Sequence, residues 1–330
     1  MSGATVAYNL RRNKFVERQL FMELLLRFSR WREIDNYLYI GFGGVYFEEF
    51  KLLHTRFNIR KMISLEQESW MLARQELNIP YGCITPFHLS SGDLVVEIDA
   101  YRNLGDASNI LIWLDYTVPS ELPTQLSEVR SLVSKLENGD VLKVTFSLAT
   151  AWLNKGPSEN PPLVNRLENL RSKLGSAYLA EGISIDDVTN DRLPDVYLNA
   201  FKRKIAEALT ENSKLDFLPL GCYTYSDGTP MLTITGALVD ATEQTSFAER
   251  LGLANLSFAS PQWEIHRIEV PDMSLRERLE IDKKLDGKTA DQIATELPFR
   301  FEEDPEESLD LIRNYLKLYR FYPNYHRVQI

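Results

Sequence analysis

Gly41-Phe42-Gly43-Gly44 stands between a short apolar, β-prone run (Tyr37 to Ile40) and a segment in which Phe47, Phe50, Leu53 and Phe57 recur at helical spacing. A glycine turn that closes a strand and opens a helix aims backbone N–H groups at a ligand. Three acids, Glu66, Asp93 and Asp115, follow at the expected ends of successive strands. Strand ends are where an open α/β sheet takes its ligand. His88 ends the third strand among them and carries the side chain most often used to move a proton. The chemistry these types can perform is ligand capture beside an ionisable group.

Charge narrows the ligand. A dinucleotide site needs a third glycine at position 46, and that residue is Tyr46. No Lys-Ser/Thr pair follows the turn, so a phosphate-cradling loop is absent. Glu48 and Glu49 open the following helix, where they favour its dipole but repel a diphosphate. The site is therefore acidic and suits a nucleoside with a cationic or phosphate-free tail. No Ser/His/Asp or Cys/His constellation is legible, and no His/Cys cluster has metal-ligand spacing. His54 sits beside Leu53 on an apolar helix face, while His266 and His326 lack nameable partners.

The elements that must position these groups alternate. Val16, Leu20, Leu24 and Phe28 mark a first amphipathic helix, with Arg11, Arg12, Lys14 and Arg18 clustered on and before it. Strands are expected in KMISLE, CITPFHL, NILIWLDY and DVLKVTFS, with helices in WMLARQEL and LPTQLSEVRSLVSKLE between them. LDFLPLGCYTYSDGTPMLTITGALV then reads as a hairpin around Asp227-Gly228. The fold class is α/β: a Rossmann-like, mostly parallel sheet with a terminal antiparallel hairpin and a helical C-terminal extension. The expected organisation is an N-terminal helical segment (1–35), a core (36–240) with an excursion at about 151–193, and a helical domain (241–330), past which sheet signals stop.

Composition sets the outer bounds. The chain has 330 residues, 44% hydrophobic and 25% charged, which excludes disordered, collagen-like and coiled-coil classes. Its net charge of −10 argues against nucleic-acid partners. Two cysteines, Cys83 and Cys222, build no disulfide framework, and neither a signal peptide nor a membrane span is legible; a soluble, cytoplasmic protein is expected.

The order of these landmarks resembles the class I S-adenosylmethionine-dependent methyltransferases. A glycine turn follows strand one, acids follow strands two and three, a motif ends strand four, and a hairpin finishes the sheet. The stretch NLRRNKFVERQLFMELL, with YIGFGG and MISLE, also resembles bacterial proteins described as O-methyltransferases. The resemblance implies S-adenosyl-L-methionine as cofactor, held by Gly41, Phe42, Gly43 and Gly44 along its methionine and ribose part. Glu66 would take the ribose hydroxyls, and Gly92 and Asp93 would flank the adenine. Leu114, Asp115 and Tyr116 would face the reacting methyl group, with Asp115, Tyr116 or His88 assisting transfer. Arg11, Arg12, Lys14 and Arg18 would hold an anionic acceptor. Tyr39 stands where the family carries an acid, two residues before the first glycine.

Two functions follow. One is methyl transfer to an unidentified acceptor, with catalysis coming mainly from positioning. The other is a non-catalytic, methyltransferase-like binding or adaptor module, as used in bacterial antiviral defence. An open pocket over Gly43 favours the first, and one filled by Phe42, Tyr46 or the excursion favours the second. KTADQIATELPFRFEEDPEESLDLI loosely resembles a helix-turn-helix, but its second helix would begin with acids that phosphate repels. Docking on the core or on a protein partner is the better expectation there. The tail aromatics Tyr315, Tyr319, Phe321, Tyr322 and Tyr325, with Arg313, Lys317, Arg320 and Arg327, are the candidate surface.

Overall fold

Alternating strand and helix signals place the apolar residues of each strand on two sides of a sheet, and each side must be covered. The computed structural model describes residues 11–103, 106–210 and 214–324. Among them the order is α1 (Arg12–Phe28), β1 (Leu38–Gly41), α2 (Glu48–Phe57), β2 (Lys61–Glu66), α3 (Ser69–Asn78), β3 (Ile84–His88), α4 (Ser91–Arg102) and β4 (Ile110–Asp115). Then come α5 (Leu122–Val133), β5 (Val141–Ser147), α6 (Pro162–Leu174), α7 (Leu193–Ala208), β6 (Leu215–Ser226) and β7 (Pro230–Asp240). The chain continues through α8 (Gln244–Leu251), β8 (Ile265–Ile268), α9 (Leu275–Asp282), α10 (Ala290–Glu296) and α11 (Pro305–Leu318).

The strands form one sheet in the order β3-β2-β1-β4-β5-β7-β6-β8. The first five are parallel, and β7 lies antiparallel between β5 and β6. This is the mostly parallel sheet with an antiparallel hairpin that the alternation predicts. Gly228, at φ +110°, makes the hairpin turn, a backbone state that favours glycine. Along β4, Ile110, Ile112 and Leu114 enter one apolar layer with α4, α5, α6 and α7. Leu111 and Trp113 enter the other, with α1, α2, α8 and the C-terminal helices.

Three elements went unread in the sequence. One is α4, although Leu94, Ile98 and Tyr101 are buried at helical spacing. Another is α8, where the only buried residues are Phe247 and Leu251, four apart. The third corrects the expectation that sheet signals stop at 241: β8 pairs parallel with β6 through Cys222 to Tyr225. Four residues, IHRI, give too short a period to recognise.

The excursion supplies α6 and packs Leu153, Leu167, Leu170 and Val188 into the first layer. The C-terminal aromatics face inward. Tyr315 has no exposure, and the Tyr322 hydroxyl donates to the Pro271 carbonyl at 3.0 Å. Tyr325, His326 and Arg327 lie outside the described residues. Arg313, half-exposed, reaches Glu306 and Asp310 in its own helix and Asp291 in α10, so acids surround it. Among the described residues no helix is long and apolar enough to cross a membrane.

Candidate functional site

At the C-terminal ends of β1, β2 and β4 the sheet opens into a cavity of about 250 Å³. Phe42, Gly43 and Gly44 form one wall, Leu65, Glu66 and Gln67 a second, and Asp115 to Val118 a third. Tyr46 lines the rim and no residue of the 151–193 excursion does, so the space above Gly43 is open. Of the predicted residues, Phe42, Gly43, Gly44, Glu66, Asp115, Tyr116 and Arg18 come together here.

The glycine turn differs in detail from the expectation. The helix does not start on the glycines: Phe47 intervenes with a left-handed φ of 51°, and α2 begins at Glu48. That backbone state is unusual for a bulky residue. It is held by the Phe47 N–H donating to the Gly43 carbonyl at 3.0 Å and by complete burial of the ring. The Gly43 N–H faces inward and donates to Ser64 Oγ at 3.0 Å, so it does not face a ligand. A Cβ on Gly43 would lie 2.5 Å from Ser64 Oγ and 2.6 Å from the Phe47 ring. Gly44, at φ +55°, borders open space. Gly41 lies outside the lining; a Cβ there would meet the Tyr39 ring and, at 3.2 Å, the Trp113 carbonyl oxygen.

Glu66 is held from two sides. Its Oε1 accepts from the Glu68 N–H at 3.0 Å and its Oε2 from Gln75 Nε2 at 3.2 Å. Ser64 Oγ in turn donates to Gln75 Oε1 at 2.7 Å. Burial raises the Glu66 pKa above the ordinary carboxylate value.

Asp115 belongs to a charge network that α1 pushes under the cavity. Lys14 Nζ donates to Asp115 Oδ2 at 2.9 Å and to the Tyr225 hydroxyl at 3.0 Å. Arg18 donates through Nε to Glu49 Oε1 at 2.6 Å, and its Nη2 lies 2.5 Å from the same oxygen as an ion pair. Lys143 pairs with Glu17, neither of them exposed. Lys14, Glu17 and Arg18 share one helix face through their i, i+3, i+4 spacing. Burial works against ionisation of Asp115, but the cations of Lys14, Arg18 and Lys143 outweigh it and hold the pKa below the usual carboxylate value. Burial likewise opposes the Lys14 ammonium, but Asp115, Tyr225 and Glu17 together outweigh it, lifting the pKa above the ordinary lysine value. The Asp115 Oδ1 atom is buried without a hydrogen-bond partner. The Tyr116 hydroxyl donates to Glu128 Oε2 at 2.6 Å, and burial followed by the Glu128 charge keeps the phenol protonated.

The remaining predicted residues fall elsewhere. Asp93 does not end a strand: it is the third residue of α4 and closes a capping box with Ser90. Gly92 lies one residue before it in that first turn. Leu114 turns into the apolar layer without exposure. His88 Nε2 meets the Gln67 carbonyl at 2.8 Å, outside the lining. The basic cluster does not form an open anion site. Lys14 and Arg18 are buried against Asp115 and Glu49, Arg12 pairs with Asp272 at 2.7 Å, and Arg11 is the half-buried N-cap residue of α1. Tyr39 is almost fully buried against the Phe50 ring, 4.7 Å away, and so supplies no acid. Among the described residues no group of three or more His, Cys, Asp or Glu side chains could hold a metal.

Sequence reasoning missed Ser64, Gln75, Glu17, Lys143 and Tyr225, whose roles depend on pairings across the fold. A signal existed for two of them. Lys143 interrupts the apolar strand VLKVTF, and Glu17 falls on the apolar side of α1. A buried charge demands a partner, so each pointed to the other.

Solved structures similar to the chain include an S-adenosylmethionine-dependent methyltransferase from Anabaena variabilis, 14% identical over 70% of this chain and 86% of that one, with a TM-score of 0.36. Human N-acetylserotonin methyltransferase, solved with S-adenosylmethionine, is 11% identical over 68% of this chain and 55% of its own, with a TM-score of 0.32. No curated protein matches the chain in sequence. The family described as "Putative O-methyltransferase" matches residues 6–330, and the chain belongs to it.

Proposed function

We propose that the chain binds S-adenosyl-L-methionine in the cavity above Gly43 and transfers its methyl group to the oxygen of a small acceptor. The observation that carries this reading is an open cavity at the strand ends, walled by the glycine turn and by a Glu66 carboxylate fixed from two sides. The donor set fits the ligand. Glu66, Asp115, Glu121 and Glu128 line the space, and a ligand with a sulfonium and an ammonium group is attracted to such a wall. Gly44 leaves room beside the turn because a side chain there would enter open space.

When bound, the cofactor supplies an electrophilic methyl group. The chain holds the ribose hydroxyls on Glu66 and leaves Asp115 Oδ1, which lacks a partner, to accept the proton of an acceptor hydroxyl. Lys14 keeps Asp115 ionised, so the carboxylate aligns that hydroxyl before the displacement and takes its proton only as the oxygen–methyl bond forms and S-adenosylhomocysteine leaves. Alignment of this kind is where most of the acceleration in a direct displacement arises. Tyr116, tied to Glu128, shapes the same wall. His88 has no part in this arrangement.

Titration calorimetry with S-adenosylmethionine and S-adenosylhomocysteine tests the reading. Both should bind the wild-type protein, and Glu66→Ala should weaken both by about tenfold or more, the loss of a charged hydrogen-bond acceptor. Absence of heat at millimolar ligand would refute it. Binding without methyl transfer to any hydroxylated acceptor in a mass-spectrometric screen would favour the non-catalytic module.

A further inference from the structure

Gln75 is a fully buried amide on α3, where Met71, one turn earlier, is the only other buried residue. Packing alone does not require an amide at that position, and one buried there without partners would destabilise the fold. Its orientation is fully determined. The Glu66 carboxylate can only accept when ionised, so the Gln75 NH₂ group faces it. Gln75 Oε1 then faces Ser64, which must donate, and a Ser64 lone pair is left for the Gly43 N–H. Ser64, like Gln75, has no exposure, so water does not compete along the chain. The path runs without a break from the backbone of one cavity wall to the carboxylate of another. Register reinforces it, because Ser64 pairs with Gly41 between β2 and β1.

We propose that Gln75 is a positioning residue that locks the glycine turn and Glu66 into one unit and thereby sets selectivity for a ribose, over a deoxyribose, in the bound nucleoside. This rests on the S-adenosylmethionine reading above. Without Gln75, Glu66 would be held only by the backbone N–H groups of Gln67 and Glu68; Gln75 fixes the second oxygen and so the plane of the carboxylate. The same amide draws Ser64 and the turn toward it, which fixes the separation between the sugar and the tail of the ligand.

The test is calorimetry of wild type and Gln75→Met with S-adenosylhomocysteine and with its 2′-deoxyribose analogue. Wild type should prefer the ribose compound by about tenfold. Gln75→Met retains length and loses both hydrogen bonds, so it should lose about tenfold on the ribose compound and far less on the deoxy one. A variant that weakens both equally and keeps the ratio has lost only packing, and overturns the proposal. So does a wild type that binds both compounds alike. Gln75→Glu provides a second arm if the methionine variant does not fold. It keeps the acceptor for Ser64 but sets a carboxylate against Glu66, so its affinity for S-adenosylhomocysteine should fall, relative to wild type, from mildly acidic to mildly alkaline pH. A profile for this variant that parallels wild type overturns the coupling. A wild type that binds neither compound overturns the cofactor reading itself, and the inference with it, which separates the two failures.

Discussion

Lys14 and Asp115 show what a residue's type does and does not disclose. The sequence offers Lys14 as one member of an exposed-looking basic cluster and Asp115 as an acid at a strand end; the fold makes them a pair 2.9 Å apart, the lysine buried and the aspartate half-buried. Position along the strand was enough to find Asp115, because an acid closing the run ILIWL has no place in an apolar layer. Its partner was hidden, since the two lie on elements about a hundred residues apart. Removing one partner of a fully buried pair costs about 3–5 kcal/mol, and with the Asp115 side chain 24% exposed the cost here lies at the lower end of that range. Lys14→Met should therefore lower stability by about that amount near neutral pH in urea melts. The pH dependence has a definite sign. Asp115 has a depressed folded pKa, so its contribution is present above the unfolded carboxylate value of about 3.9 and is lost as pH falls through the folded value. Lys14 has a raised one, so its contribution is present below about 10.4 and is lost as pH rises through the folded value. Wild type and Lys14→Met should thus differ most across the neutral range and converge toward acid. A constant difference down to strong acid would show that the lysine contributes packing alone.

At the scale of elements, α1 begins with Arg12 and Lys14 in its first turn and no acid, which opposes its dipole. No side chain of its own caps it. The cap comes from the hairpin turn between β6 and β7: Asp227 accepts from the Asn13 N–H at 3.2 Å and from the Lys14 N–H at 2.8 Å. Asn13 Nδ2 returns a bond to the Ser226 carbonyl at 2.8 Å. One aspartate thus joins the turn of the sheet to the helix that carries Lys14 and Arg18 to the cavity. Asp227→Ala should cost about 1–2 kcal/mol, the range for a lost helix cap, and Asp227→Asn less. If α1 is held only by its apolar face, Asp227→Ala will melt with wild type, and the linkage fails. The hairpin itself was legible, since Asp-Gly between two apolar runs is a strong turn signal. That its aspartate would cap a helix more than two hundred residues earlier in the chain was not, because caps are read from neighbouring residues. The missed β8 has a similar cause: its strand character comes from pairing with β6, and its own four residues carry little.

Across the whole molecule, the sheet's order depends on non-local pairing. Strand and helix alternation predicted a parallel series ended by a hairpin, and local periodicity sufficed for that. Nothing local says that β7 inserts between β5 and β6, or that residues beyond 241 return to the sheet. The expected division into core and C-terminal helical domain can be put to a direct test on this point. Ile281, Ile293, Ile312, Tyr315 and Leu318 are buried in the same apolar layer as α1 and Trp113. Tyr315 stacks edge-on with Tyr322, ring centroids 5.4 Å apart, and its hydroxyl donates to Asp282 at 2.6 Å. Arg12 and Asn13 reach across to Asp272 and Val270. Elements that share one layer lose their cover together, so unfolding should be a single transition. Tyr315→Ala removes a buried aromatic ring and should lower stability by about 3–5 kcal/mol. The shift should be the same whether the melt is followed by far-UV dichroism, which samples every helix, or by tryptophan fluorescence, which includes Trp113 in the central strand β4. Should the substitution produce an early phase seen in dichroism alone, with the fluorescence transition unmoved, residues 241–324 would form an independently folding domain. Coincident transitions would make the C-terminal helices part of the support on which α1, and through it Lys14 and Arg18, are held at the cavity.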